Sequence, residues 1–280
     1  MKAPLWQVDF RMNGYLFGCI LLLVFWGFTR LALSFKGSRT AIREFWWASF
    51  TAAWLGFTEP LFVPEYWNPP SILKFGRWDF ESFPFCLAVG GITAVLTELP
   101  PFKGFLVDFY FHLERAWRCL LSFVSKATSG RIHPKPLDAP HADLLLSETE
   151  LRTENMLLVT FAISVFGATS QLGINIIYKA AIVCLATAWF IAWRRPSLRW
   201  QILGGGISFT LLYTVVLVVT GHFYPTFFDH WNRPALSGLH FLGAPAEEYL
   251  YAFTYGAFWA PLYEAWKQVR VRQEETGYPS

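Results

Sequence analysis

Five carboxylic acids stand at or near the starts of apolar segments: Glu59, which precedes Pro60, then Asp79 and Glu81, then the adjacent pair Glu247 and Glu248. An ionisable group inside an apolar segment is costly and marks a functional site by default. A carboxylate at a helix start also complements the helix dipole, and Asp79 and Glu248 fit that simpler role. Glu59 fits a structural carboxyl at a proline kink equally well. Repetition singles out Glu81 and Glu247. Residues 79–99 (DFESFPFCLAVGGITAVLTEL) align without gaps on residues 245–265 (PAEEYLYAFTYGAFWAPLYEA), which places Glu81, Gly90, Ala94, Leu96 and Glu98 on Glu247, Gly256, Ala260, Leu262 and Glu264. Glu98 and Glu264 lie about 25 Å further along a helix than the first acids, so they belong to the opposite end. Upstream of each acid-bearing segment is a Pro- and Trp-rich connection, containing Trp67-Asn68 in one case and Trp231-Asn232 in the other.

Such carboxyls would work among rings, since the chain has 28 Phe, 14 Trp and 11 Tyr. Tyr66, Trp67, Phe85, Trp231, Tyr251 and Tyr255 are the expected pocket walls, with His222 as a polar supporting group. One reaction type suits these parts. An acid kept neutral by desolvation protonates a terminal alkene, aromatic faces hold the carbocation, and a base removes a proton to end the reaction. Such a cyclisation is redox-neutral and calls for no cofactor. The six histidines lack metal-ligand spacing, and the four cysteines form no CxxC pair. No metal site is expected, and no phosphate loop, nucleophile elbow or dinucleotide fingerprint is present. No basic patch with interleaved aromatics points to nucleic acid.

The elements that must position these groups are apolar. Of the residues, 54% are hydrophobic and 15% charged, against about 25% charged in a soluble domain. Candidate spans of about 20 residues fall at 13–34, 45–64, 80–99, 155–172, 175–194, 202–223 and 245–266, the fourth and fifth forming a hairpin near Gly173. The expectation is an all-α integral membrane protein of seven transmembrane helices: two parallel three-helix repeats (1–101 and 175–280) joined by a linker helix (155–174), a 3+1+3 layout. Residues 102–154 are expected to form a cytoplasmic loop. In it, apolar residues recur from Phe102 to Val124 at helical spacing, as in an amphipathic interfacial helix. Ser147 and Glu150 read as a capping box before the linker helix. With seven spans, the basic loops (Lys36, Arg39 and Arg43; Arg194, Arg195 and Arg199; Lys267, Arg270 and Arg272) and the long loop all face one side. The positive-inside rule makes that side cytoplasmic, with the N-terminus outside the cytoplasmic membrane.

Pro245-Ala246-Glu247-Glu248, preceded by Gly243 and followed by Tyr249-Leu250-Tyr251, resembles the Pro-x-Glu-Glu motif of the integral-membrane lycopene cyclases of the heterodimeric and fused type. In the first half only Glu81 matches, because Asp79 stands in place of the Pro and Ser82 in place of the second Glu. The resemblance covers most of the chain outside the N-terminus and 102–154. It implies ring closure at the end of a linear polyene such as lycopene, with Glu247 and Glu248 as motif residues and Glu81 as their counterpart. It also implies a lipid-borne substrate, and a homo-oligomer or association with other carotenoid enzymes. Two other readings use the same scaffold: a non-catalytic carotenoid-binding or assembly protein, and a small-solute transporter. The spans are poor in the Asn, Gln and Ser that a polar solute path needs.

Overall fold

A computed structural model of the protein describes residues 6–8, 13–99, 102, 104, 112, 115 and 146–268. Helix α1 (Gly14–Lys36) starts where the Asn13 side chain accepts the Leu16 amide. It ends at Gly37, whose φ of 73° is a left-handed cap that a side chain would strain. Ser38 then caps α2 (Arg39–Ala53), which tightens into a 3₁₀ turn at Trp54–Thr58 and a single helical turn, α3 (Glu59–Phe62). Helix α4 is Ser82–Val95. Helix α5 (Glu148–Ser170) carries the expected capping box of Ser147 and Glu150. The turn near Gly173 leads into α6 (Ile176–Arg194), which packs back on α5. The chain continues through α7 (Arg199–Phe223), α8 (Ala246–Trp259) and α9 (Leu262–Lys267).

The seven-span 3+1+3 expectation is not met. Among the described residues, three helices are long and apolar enough to cross a membrane: Gly14–Lys36, Ile176–Arg194 and Pro196–Phe223. The other four candidates fail for separate reasons. The segment 45–64 is broken into α2, a 3₁₀ turn and α3. Helix α4 has 14 residues, about 21 Å of rise against a hydrocarbon core of about 30 Å. Helix α5 spends its first turns on Glu148, Glu150, Arg152 and Glu154. The segment 245–266 divides at Pro261, whose ring cannot continue the helix before it. The count that put every basic loop on one side goes with it. The expected interfacial helix at 102–124 lies outside the described residues except for Phe102, Gly104, His112 and Arg115. The three long helices do mark a membrane protein. Their outer faces expose Phe28, Phe35, Trp189, Trp193 and Phe223, large apolar groups that a lipid environment accommodates.

Nor is the chain purely helical. Strands β1 (Trp6–Val8), β2 (Leu73–Phe75) and β3 (Trp78–Asp79) form one antiparallel sheet, and β4 (His240–Phe241) pairs with β5 (Ala244–Pro245). The hairpins β2–β3 and β4–β5 immediately precede the starts of α4 and α8. Their registers, Lys74↔Asp79 and His240↔Pro245, fall at the same 166-residue offset as the two glutamates.

Small residues bring the central helices together. A Cβ on Gly90 of α4 would meet the Ala52 Cβ of α2 at 2.2 Å, and one on Gly256 of α8 would meet the Gly205 carbonyl oxygen of α7 at 2.6 Å. At the helix ends, Lys36 pairs with Glu98 at 2.9 Å, and Arg194 pairs with Glu154. Gly256→Val should therefore lower the thermal unfolding midpoint of the protein in detergent, by an overpacking cost of about 1–3 kcal/mol. Gly167→Ala, where an added Cβ meets nothing within 4 Å, should cause no loss in the same measurement.

Candidate functional site

Glu81 and Glu247 do equivalent jobs. Glu81 accepts hydrogen bonds from the Ser71 hydroxyl and the Ile72 amide. Glu247 accepts from the Ser237 amide at 2.8 Å and from the Tyr178 hydroxyl. Ser71 and Ser237 stand ten residues before their respective glutamates, so each carboxylate ties down the loop that leads into its own hairpin. Burial works to raise the pKa of Glu247, but the Tyr178 and Ser237 donors outweigh it and leave the carboxyl below its ordinary range. No hydrogen bond joins Glu81 to Glu247 among the described residues.

Glu248 is the carboxyl that faces the interior. It is 4% exposed. It accepts from the Tyr66 hydroxyl, from the Tyr213 hydroxyl at 2.8 Å and from the Trp231 indole at 2.8 Å. Those donors come from three separate places: the loop after α3, the middle of α7 and the loop after α7. Two of the segments are themselves paired, Trp67 bridging Trp231 antiparallel, with the Asn68 amide on the His230 carbonyl at 2.8 Å and the Asn232 amide on the Tyr66 carbonyl at 2.9 Å. Burial lifts the pKa of Glu248 above its ordinary value, although the three donors oppose the shift. The position in α4 that corresponds to Glu248 is Ser82, which shares a 2.9 Å hydrogen bond with the Tyr15 hydroxyl of α1.

A second acid group lies on the first-half side. Glu59 and Asp79 are both buried and stand next to each other, with Ser82 beside Glu59. Lys74, directly across the hairpin, reaches Asp79 Oδ1 at 3.4 Å. Burial, aided by the Asp79 charge, pushes Glu59 up to about 7. Asp79 is also raised, by burial, with Lys74 working against the shift.

Aromatic rings fill the space around these groups. Tyr15, Trp67, Phe85, Tyr213, Phe227 and Trp231 line a narrow cavity of about 20 Å³, room for a single water. Trp67 meets Tyr15 edge-on at 4.8 Å and lies 5.6 Å from Trp231. Tyr251 packs on Tyr213 at 6.1 Å, and Tyr255 stacks on Trp259 at 5.4 Å. The structure thus brings Tyr66, Trp67, Phe85 and Trp231 to the Glu248 region and places Tyr251 and Tyr255 just beyond it along α8. His222 is exposed near the end of α7, outside this interior. Sequence reasoning missed Tyr15, Lys74, Ser82 and Tyr213. A tyrosine in the middle of an otherwise apolar helix is the signal that would have flagged Tyr213. Among the described residues, no group of three His, Cys, Asp or Glu side chains could hold a metal ion.

Residues 175–266 match the lycopene cyclase family model. That stretch contains α6, α7, the β4–β5 hairpin and α8, and hence Glu247, Glu248, Tyr213 and Trp231. It is about a third of the chain and does not reach the first hairpin, so it links the protein to that family at a coarse level. No curated protein and no solved structure matches the chain.

The lowered pKa of Glu247 fixes a pH dependence. The folded state favours its ionised form, so its contribution is present above the ordinary carboxylate pKa of about 4.3 and is lost as pH falls through the lower folded value. Amide hydrogen exchange at Ser237 should be faster in Glu247→Ala than in the native protein at neutral pH. The difference should close below about pH 4.

Proposed function

We propose that the protein is a membrane isoprenoid cyclase that closes a ring at the end of a linear polyene such as lycopene, without net redox change. The observation that carries this reading is Glu248, a buried carboxyl held by Tyr66, Tyr213 and Trp231 among aromatic rings and inside the stretch that matches the lycopene cyclase model. The mechanism needs one carboxyl that gives a proton and another that takes one. Glu59, at about 7, is protonated in roughly half of the molecules at neutral pH. In this reading it protonates the terminal alkene. The alkene π electrons of the chain then close the ring bond, and the positive charge moves to a ring carbon. Aromatic faces of Trp67, Phe85 and Trp231 stabilise the cation. In the same reading Glu248, in its ionised form, attracts the cation and removes a ring proton. One proton enters and one leaves, so the product is an isomer of the substrate.

Glu81 and Glu247 act in this scheme as positioning residues that hold the two loops. The narrow cavity sets a requirement: the rings that line it must part to admit a polyene end, which reaches them from the bilayer between helices. A second reading, a carotenoid-binding protein without catalysis, is favoured by Ser82, which leaves the first half without the second glutamate of the motif. The two are separated by expression in cells that accumulate lycopene, with chromatography of the pigments. The cyclase reading expects a cyclic carotenoid, with its yield reduced about 100-fold or more in Glu248→Gln and in Glu59→Gln, the usual contribution of a general acid or base. Unchanged lycopene that copurifies with well-expressed protein points to binding alone. Unchanged lycopene that does not copurify overturns both readings for this substrate.

A further inference from the structure

The first hairpin carries a feature that the second lacks. Asp79 stands where the second hairpin has Pro245, at the same register across from Lys74 and His240 respectively. Its side chain is fully buried, and beyond the Lys74 ammonium at 3.4 Å from Oδ1 neither carboxyl oxygen has a donor among the described residues. Glu59 Oε1 is likewise buried without one. Leaving such oxygens dry is expensive, and Pro245 shows that this turn of the fold does not require an acid. Lys74 is the exposed end of the arrangement. Its side chain is 26% exposed, and it also reaches Asn68 Oδ1 at 3.2 Å. Beyond Glu59, Ser82 bonds Tyr15, and Tyr15 lines the aromatic cavity. Lys74, Asp79, Glu59, Ser82 and Tyr15 therefore form a polar line from the hairpin surface to the interior.

We propose that Asp79, with Lys74, is a proton relay that recharges Glu59 from the exposed side of the first hairpin, where the Lys74 ammonium lies. The inference rests on the cyclase reading for its purpose, because each cyclisation leaves Glu59 without its proton and Glu248 with an extra one. A hydronium ion that reaches the exposed Lys74 end gives its proton to the Asp79 carboxylate and leaves as water. Asp79 then passes a proton to the Glu59 carboxylate and returns to its ionised state beside the ammonium. One proton moves at each step, and nothing is oxidised or reduced. Lys74 holds Asp79 ionised between transfers and so keeps it ready to accept. The charged and titratable groups facing Glu59 are Tyr15 and Cys19 of α1, Lys74 and Asp79 of the hairpin, Cys86 of α4 and Tyr251 of α8.

Infrared difference titration of the purified full-length protein tests the relay without any substrate. The Glu59 carboxyl band is assigned by its loss in Glu59→Gln. In Asp79→Asn the midpoint of that band should fall by about one pH unit, since a neighbouring negative charge is removed, and deuterium exchange of the Glu59 proton should slow. Lys74→Gln, a change at the exposed end that spares the buried carboxyls, should move the midpoint upward. Glu59 titration and exchange unchanged in both variants overturn the relay, whatever the pigment assay gives. A relay present in a protein that closes no ring leaves the proton path standing and removes the cyclase reading.

Discussion

Glu248 sets the terms for the rest of the molecule. A carboxyl buried among aromatic rings is tolerated only when its oxygens are satisfied, because an unpaired charge in such surroundings is among the most costly features a fold can carry. Its three donors are far apart in sequence, so meeting that requirement fixes the relative placement of three segments. Tyr66 must come in from the loop after α3, Tyr213 from α7, and Trp231 from the loop between α7 and β4. The antiparallel bridge of Trp67 and Trp231, with its two backbone hydrogen bonds, holds the first and third together. The glycine contact between α7 and α8 brings Tyr213 within reach of the α8 start, since a side chain at Gly205 or Gly256 would push the two helices apart. A typical hydrogen bond contributes about 0.5–1.5 kcal/mol net, so the three together also help to hold the two loops in place.

The first half solves the same geometric problem with different chemistry. Ser82 replaces the second glutamate and meets Tyr15, while the buried acids of this half are Glu59 and Asp79, which stand next to each other. The consequence is electrostatic. Burial raises the pKa of both acids, but Glu248 has three donors that oppose the rise, whereas Glu59 has an oxygen without a donor and a second acid for a neighbour. The two halves therefore hold their buried acids in unlike surroundings. Two identical halves would not produce that difference.

Part of this was legible in the sequence. Three of the apolar segments, 13–34, 175–194 and 202–223, are long helices because nothing in them breaks the backbone ladder, and Ser147 with Glu150 announced the start of α5. The other four candidates show what apolar character alone leaves undetermined. It does not distinguish a helix that faces lipid from one enclosed by protein, and α4, buried from Ala88 to Leu96, is of the second kind. The hairpins went unread although Leu73-Lys74-Phe75 alternates before Gly76, at φ 63°, and Leu242-Gly243 takes positive φ at both turn positions. The repeat drew attention to Glu81 and Glu247, and the structure places both on loop amides and hydroxyls. The matching serines ten residues upstream were available as a signal for that role. Tyr66 and Trp231 were named as pocket walls, but their use as donors to one carboxyl depends on a tertiary meeting that no spacing rule encodes.

The short helices explain how such polar groups come to lie in a membrane protein's interior. A 14-residue helix exposed to lipid would leave its ends, with their unpaired amides and carbonyls, in hydrocarbon. Enclosed by neighbours, α4 and α8 escape that penalty, and the chain just before each is free to be a hairpin and a loop instead of more helix. Irregular backbone of this kind is sustainable only where protein surrounds it, and it supplies what a helix cannot: amides pointing at Glu81 and Glu247, and side chains arriving at Glu248 from three directions. It also admits Asp79 and Lys74 at a position that continued helix would have filled with an apolar residue. The brevity of α4 and α8 and the presence of a polar, aromatic-lined interior are thus one structural decision, taken where each helix begins.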